Sequence, residues 1–258
     1  MIISSEITLT FLPLDPKAHF TNFKPDFMLN LLEGAAKEAD YLVYADPDVV
    51  FDAPWSHFSD LLQLGILLCE DVNSPMSRKH PIRAAWKRYF PDLAWTSSTD
   101  LFLNAGFLGL PRVASKLLDR WKEMNARIAD IVGGSKVTGL NGSGFPVRGY
   151  AACFSQPDQD ALNALVDTSP ELEFFILGRE AMGFSGPQAI LPHAIGSPKP
   201  WCKKYLWEAL LARPPTVADK AFWKYAEGTL TTFSQGNLHA MRARSALASL
   251  IGRFYRRK

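Results

Sequence analysis

Short β-prone apolar runs alternate with helical patterns along this chain, and the alternation limits its fold more than any other feature. Such an order is typical of an α/β sheet, which binds ligands at the carboxyl ends of its strands. We predict strands at residues 7–12, 41–45, 65–69 and 105–110, with residues 41–45 as a central strand covered on both faces. We predict helices at residues 27–38, 57–64 and 111–131, with others beginning at Pro81 and Ser155.

The composition is that of an ordinary globular protein, with 47% hydrophobic residues and a formal charge of +2. It excludes disordered and fibrous classes, and the small charge makes no case for a nucleic-acid partner. No run approaches the roughly 20 apolar residues of a membrane span, and the amino terminus has no basic signal segment. The three cysteines are far apart and suggest no disulfide framework, so we expect a reducing, cytoplasmic location.

Two carboxylates, Asp46 and Asp48, directly follow the apolar run at residues 41–45. One intervening residue lets both acids approach a single divalent ion, and Mg²⁺ or Mn²⁺ commonly uses one or two carboxylates together with phosphate and water. The alternative is a purely structural role, in which the Asp46-Pro47 pair forms a turn. By itself the spacing is a weak signal for a metal site, because it also occurs by chance in many chains.

A turn-rich segment far downstream carries His193, Gly196 and Lys199. A neutral imidazole can complete a metal sphere, a glycine allows the backbone to approach an anion, and a lysine can neutralise a diphosphate. The alternatives are a structural histidine and a solvated lysine.

Together these segments resemble the glycosyltransferases of the GT-A fold, most closely family 8. Two further segments agree with that family: residues 104–109 resemble its Asn-Ala-Gly motif, and residues 158–163 resemble its DQDxLN helix start. The resemblance covers about residues 7–210. It implies a Rossmann-like three-layer sandwich with a mixed, mostly parallel central sheet, followed by C-terminal helices.

The resemblance also assigns roles to individual residues. Asp46, Asp48 and His193 would ligate Mn²⁺ or Mg²⁺, while Gly196 and Lys199 would bind the donor diphosphate. The donor sugar would contact a second group of side chains, formed by Asn104, Ala105 and Gly106 in its pocket and by Asp158 and Gln159 on the reacting face. Asp71, at the end of the strand predicted at residues 65–69, is a candidate for the acceptor pocket.

The activity implied is transfer of a hexose from a nucleotide-diphosphate sugar to a glycan or lipid-linked saccharide in polysaccharide biosynthesis, with retention of configuration. A neutral amide such as Gln159 is a poor nucleophile, which favours front-face attack within an ion pair. Two alternatives stay open: a catalytically inactive nucleotide- or glycan-binding relic of the fold, and an interaction protein that packs its aromatic residues against a partner.

The segment before Asp46 is shorter than the family pattern. Only 45 residues precede it, enough for one strand and one helix, so we expect an amino-terminally truncated domain without the first βαβ segment. Lys24, in the loop before the first helix, is expected to be solvated, with a contact to the donor as the alternative. The glycine-rich residues 133–145 are expected to form a loop, either a lid or a surface excursion.

The last residues, 236–258, form a predicted basic amphipathic helix beyond a GT-A-like domain at residues 1–235. Its apolar stripe contains Leu247, Leu250, Ile251 and Phe254, and its arginines, Arg242, Arg253 and Arg256, lie mainly opposite. Such a helix can bind an anionic membrane surface, so residues 240–258 are a candidate for peripheral attachment. The alternative is a terminal helix docked on the protein with its arginines in water.

Overall fold

The computed structural model describes residues 2–96, 99–140, 145–228 and 232–255. The chain forms two compact units, each discontinuous in sequence. The first unit comprises Met1–Leu14, Asp46–Pro54 and Glu180–Lys258, and the second comprises Asp15–Ala45 and Trp55–Arg179. The separate domain expected at residues 236–258 stays a prediction, and its helix belongs to the first unit.

The second unit is built on a four-stranded mixed sheet in the order β1-β3-β2-β4. Its strands are β1 (Tyr41–Ala45), β2 (Ile66–Glu70), β3 (Leu103–Pro111) and β4 (Phe174–Leu177). β3 is antiparallel to both β1 and β2, whereas β2 and β4 are parallel. The predicted α/β class with a mixed sheet is therefore confirmed.

Two details of the predicted sheet are wrong. Antiparallel pairings outnumber the parallel one among the described strands, because β3 runs against both of its neighbours. β1 lies at an end of the strand order with half-buried side chains, whereas β2 and β3 carry the fully buried apolar residues of central strands. Apolar character alone did not distinguish these positions.

Helices surround the sheet of the second unit. They are α1 (Lys24–Glu33), α2 (Trp55–Leu62), α3 (Pro81–Tyr89), α4 (Lys116–Val132) and α5 (Pro157–Asp167), with 3-10 turns at Arg112–Ala114 and Gly149–Phe154. Proline in the first turn of α1, α3 and α5 is favourable because its missing N–H would have no partner there. The helix predicted to begin at Ser155 begins at Pro157 with Gln156 as its N-cap, and the backbone N–H of Gln156 donates to the Asp160 carboxylate at 3.0 Å.

The core of the second unit combines buried residues of the sheet with those of the helices around it, including one face of the long helix α4, which packs on α1 and α5. Leu117, Trp121 and Ile128 recur on one face of α4 and are fully buried. Burying each such side chain contributes about 1.5–3 kcal/mol. Trp121 also donates its indole N–H to the Asp158 carbonyl at 2.9 Å, so α4 fixes the start of α5. Residues 133–140 form turns after α4, and Gly142 and Gly144 of the predicted loop lie outside the described residues.

The first unit contains the three C-terminal helices, α6 (Tyr205–Leu210), α7 (Val217–Tyr225) and α8 (Gln235–Gly252), after a 3-10 turn at Pro200–Cys202. Thr216 and Asp219 form a reciprocal capping box that begins α7. The core of this unit consists of Tyr205, Ala209, Trp223, Leu238 and Ala248.

The stripe predicted on α8 is mostly solvent-exposed. Leu247, Leu250 and Phe254 are 50%, 49% and 84% exposed, and of this stripe only Ile251 packs against the core. Arg242 pairs with Glu227 at 2.9 Å, and Arg256 lies outside the described residues. No described helix is long and apolar enough to cross a membrane.

The strand predicted at residues 7–12 is wrong. Thr8 forms an isolated antiparallel bridge to Ile2, and the remaining residues of the segment are not extended partners of any strand within the described ranges. Phe11 is 81% exposed. A short apolar run predicts a buried strand only where other elements cover it.

Candidate functional site

Asp46, Asp48 and His193 form a compact cluster in the first unit. The chain brings them together by pairing residues 48–52 antiparallel with residues 190–194. Val49 bridges His193, the Ala194 N–H donates to the Asp48 carbonyl at 3.0 Å, and the Val50 N–H donates to the Pro192 carbonyl at 3.0 Å. This short ladder sets the imidazole beside the two carboxylates.

The spacing of the three side chains suits one divalent cation. His193 Nε2 lies 3.8 Å from Asp46 Oδ2 and 3.5 Å from Asp48 Oδ1, and one ligand atom from each residue lies within 4.8 Å of the others. Two ligands that are each about 2.1 Å from one ion stand about 3 Å apart at right angles and about 4 Å apart when opposite. Asp48 and His193 are each 7% exposed, whereas the Asp46 side chain is 24% exposed, so the cluster is open to solvent only on the Asp46 side.

Lys199 completes the cluster from the same turn that carries His193. Its Nζ donates to Asp48 Oδ2 at 2.5 Å and to the Ala194 carbonyl at 2.9 Å. Gly196, between them, has φ of +77°, a left-handed conformation that a glycine adopts without strain. The turn therefore returns the ammonium group to the carboxylate.

The electrostatics of the cluster favour an ionised Asp48. Burial alone would raise the pKa of this carboxyl, but hydrogen bonds and charge from His193 and Lys199 outweigh it and lower the pKa to about 2. The cluster thus presents anionic oxygen and an imidazole nitrogen, the ligand set that suits Mn²⁺ or Mg²⁺. The imidazole Nδ1 is buried and forms no hydrogen bond with the described residues.

A second group of predicted site residues lies in the second unit. Lys24 Nζ bonds Asp158 Oδ2 at 2.9 Å and the Ala105 carbonyl at 2.8 Å, and it stands 5.0 Å from the centre of the Tyr44 ring. The side chains of Lys24 and Asp158 are only 3% and 4% exposed. The expectation of a solvated Lys24 is therefore wrong.

Gln159 joins this group from the next position of α5. Its side-chain oxygen accepts the Ala105 N–H at 3.1 Å, while its Nε2 is buried and has no hydrogen-bond partner among the described residues. An amide N–H₂ that lacks a protein partner is suited to a hydroxyl of a bound ligand.

Asp71 and Asn104 extend the group along the ends of β2 and β3. Asn104 Nδ2 donates to Asp71 Oδ2 at 2.7 Å, and Asn104 Oδ1 accepts the Gly106 N–H at 2.8 Å. Asp71 Oδ1 accepts both N–H groups that Asn73 directs at it, at 2.9 and 2.8 Å. The second unit thus contains the five residues predicted at the donor sugar, Asn104, Ala105, Gly106, Asp158 and Gln159, and also the acceptor-pocket candidate Asp71.

A cavity of about 630 Å³ opens beside this group, with Asn73, Asp160 and Cys153 among its lining residues. Burial raises the pKa of Asp160 well above its ordinary value, and burial together with the Asp160 charge raises the pKa of the Cys153 thiol to about 12. Sequence reasoning missed the roles of Lys24 and Asn73 here. The signal for Lys24 was its place at the start of an amphipathic helix, and Asn73 lies two residues after Asp71.

Residues that could hold a divalent cation thus lie in one unit, and the buried Gln159 amide without a partner among the described residues lies in the other. Comparison with known protein families, with curated proteins and with solved structures finds no match to this chain.

Proposed function

We propose that the protein is a metal-dependent glycosyltransferase that moves a hexose from a nucleotide-diphosphate sugar to a glycan or lipid-linked saccharide, with retention of configuration. The single observation that carries the proposal is the cluster of Asp46, Asp48, His193 and Lys199. Two carboxylates, an imidazole and an ammonium group make a site for a cation bound to a diphosphate.

Asp46, Asp48 and His193 would hold Mn²⁺ or Mg²⁺, which supplies Lewis-acid stabilisation of a leaving diphosphate when bound. Lys199 exchanges its Asp48 contact for a diphosphate oxygen and adds a fixed positive charge there. Gly196 allows the backbone to approach the same group, because a Cβ built there would meet no atom within 4 Å among the described residues. Charge on the leaving oxygens is thus balanced without a protonated acid.

Asp158 and Gln159 would act on the sugar. Lys24 and the Trp121 indole hold Asp158 in place, and Gln159 has a free amide N–H₂ for a sugar hydroxyl or ring oxygen. The 630 Å³ cavity next to Asn73 and Asp160 is our candidate for part of the saccharide site.

Donor hydrolysis tests this function. The full chain, incubated with Mn²⁺ and a panel of nucleotide sugars, should release nucleoside diphosphate slowly with one of them. The Asp48→Asn variant should lose that release and bind Mn²⁺ at least tenfold more weakly by calorimetric titration. Asp60→Asn is the matched control, because Asp60 is an exposed carboxylate on α2.

Three outcomes are informative. Mn²⁺ and nucleotide binding without hydrolysis by the wild type would favour the inactive relic. Equal Mn²⁺ affinity of the wild type and Asp48→Asn would refute the metal site. A ligand at 100 times its dissociation constant adds about 2.7 kcal/mol to the stability of the folded state. If neither Mn²⁺ nor the nucleotide raises the unfolding temperature, the result would favour an interaction protein.

We further propose peripheral contact of residues 240–258 with an anionic membrane. The exposed Leu247, Leu250 and Phe254 supply an apolar face, and Arg244 and Arg253 supply charge. Ala248 belongs to the core of the first unit, and Met241 and Ile251 pack against that core, so deleting the whole segment would test folding rather than membrane binding. Point substitutions on the exposed face are the appropriate probe.

A further inference from the structure

Two cavities of the first unit share Lys220 and Lys224 of α7 in their walls. The larger, about 780 Å³, lies between the beginning of α7 and residues 183–187. The smaller, about 420 Å³, lies between α7 and α8 and includes Arg242 and Arg253. We call this pair of cavities the basic trough.

Positive charge in the basic trough exceeds negative charge. Lys224 pairs with Asp52 at 2.8 Å, and Arg242 pairs with Glu227 at 2.9 Å. Within the part of the chain that the structure describes, Lys220 and Arg253 form no ion pair. Since Lys220 and Lys224 are four positions apart on one helix, their ammonium groups face the same side.

The basic trough begins next to the candidate metal cluster. Phe184 lines the larger cavity, and its ring packs against the His193 imidazole with 6.1 Å between ring centres. Asp52, also in the wall, belongs to the ladder that positions Asp48, because its N–H donates to the Ile190 carbonyl at 2.8 Å. A ligand in the trough would therefore lie beside the candidate metal cluster of the same unit.

A donor diphosphate would not account for this charge, because Lys199 and a cation held by Asp46, Asp48 and His193 would neutralise it. The cavity beside Phe184 is large enough for a saccharide, and uncompensated ammonium and guanidinium groups bind oxyanions. We propose that the basic trough binds an oxyanion carried by the acceptor, so that the acceptor is a phosphate- or carboxylate-bearing saccharide rather than a neutral one. The assignment of this anion to the acceptor rests on the proposed function. Anion binding in the trough can be tested independently of that function.

The test is a calorimetric titration of the full chain in low salt, without divalent cations, using glucose 6-phosphate, glucuronate and glucose. We expect saturable binding of at least one of the two anions and at least tenfold weaker binding of glucose. Tighter binding of glucose 6-phosphate would identify phosphate as the recognised group, and tighter binding of glucuronate would identify carboxylate. The double variant Lys220→Met/Arg253→Met should bind the anion about tenfold more weakly, because it lacks two solvent-accessible charged contacts.

Lys204→Met/Arg148→Met is the matched control, because it removes the same charge from exposed positions outside both cavities. It should keep the wild-type anion affinity, and thermal unfolding checks that both double variants are folded. Equal anion affinity in wild type and Lys220→Met/Arg253→Met, or no saturable binding of either anion to the wild type, would overturn the proposal. Anion binding without donor hydrolysis would instead contradict the transferase function and leave the anion site intact.

Discussion

Removing one member of the buried Lys24–Asp158 pair should destabilise the second unit strongly. The two side chains are 3% and 4% exposed and 2.9 Å apart, so either charge left alone is cut off from water. Breaking such a pair costs about 3–5 kcal/mol. Lys24→Met also removes the ammonium group that donates to the Ala105 carbonyl at 2.8 Å. We therefore expect the stability loss of this variant to lie near the upper end of that range.

The double variant Lys24→Met/Asp158→Asn should recover much of that loss, because no uncompensated charge remains in the interior. We expect it to lie within about 2 kcal/mol of the wild type, since a buried pair replaced by uncharged groups is often close to neutral. Urea unfolding of the four proteins gives a double-mutant cycle, with a coupling energy of at least about 2 kcal/mol as the expected result.

A surface pair supplies the control. Arg127 bonds Asp92 at 2.6 Å, but the two side chains are 31% and 57% exposed. Arg127→Met and Asp92→Asn should each cost under about 1 kcal/mol, with little coupling. Additive losses of that size for Lys24 and Asp158 would refute the reasoning, because they would mean that water reaches both charges.

Three further predictions concern other parts of the molecule. Iodoacetamide at about pH 8 should label the exposed Cys202 and leave Cys153 unmodified, because burial raises the pKa of the Cys153 thiol to about 12. Similar labelling rates of the two cysteines, measured by mass spectrometry, would contradict the buried position of Cys153. Asp160→Asn should stabilise the protein more at pH 7 than at pH 4. Burial raises the pKa of Asp160, so the native state holds its proton more tightly than the unfolded chain and loses stability as the pH rises above 3.8; urea midpoints that shift equally at both pH values would count against this. Leu247→Ser/Leu250→Ser should weaken co-sedimentation with phosphatidylserine vesicles without lowering the unfolding temperature, since both side chains are about half exposed; unchanged sedimentation would exclude this face.

Periodicity and apolar runs predicted the strands near residues 41–45 and 65–69 and the helix at Pro81, because these patterns follow directly from burial on a sheet or a helix face. They could not predict the antiparallel direction of β3. Strand direction depends on how the chain returns between β2 and β3, and a single strand's residues carry little information about it.

The candidate site was likewise predictable in part from the sequence. Asp46, Asp48 and His193 were predicted to meet, and their side chains do lie together, although metal binding itself stays a prediction. The burial of Lys24 could not be predicted, because it depends on Ala105 and Asp158, which come from distant parts of the chain. The trough residues Lys220 and Lys224 had a sequence signal, their spacing of four on one helix.

The contacts that hold the sugar-site residues together span long stretches of chain. Lys24 reaches Ala105 across 81 positions, and Ala105 reaches Gln159 across 54. Such contacts form only after α1, β3 and α5 have docked, so they cannot open by fraying at one end of the chain. Amide protons around Ala105 should therefore exchange with solvent only through global unfolding, and a sugar bound there would slow the exchange of the whole second unit.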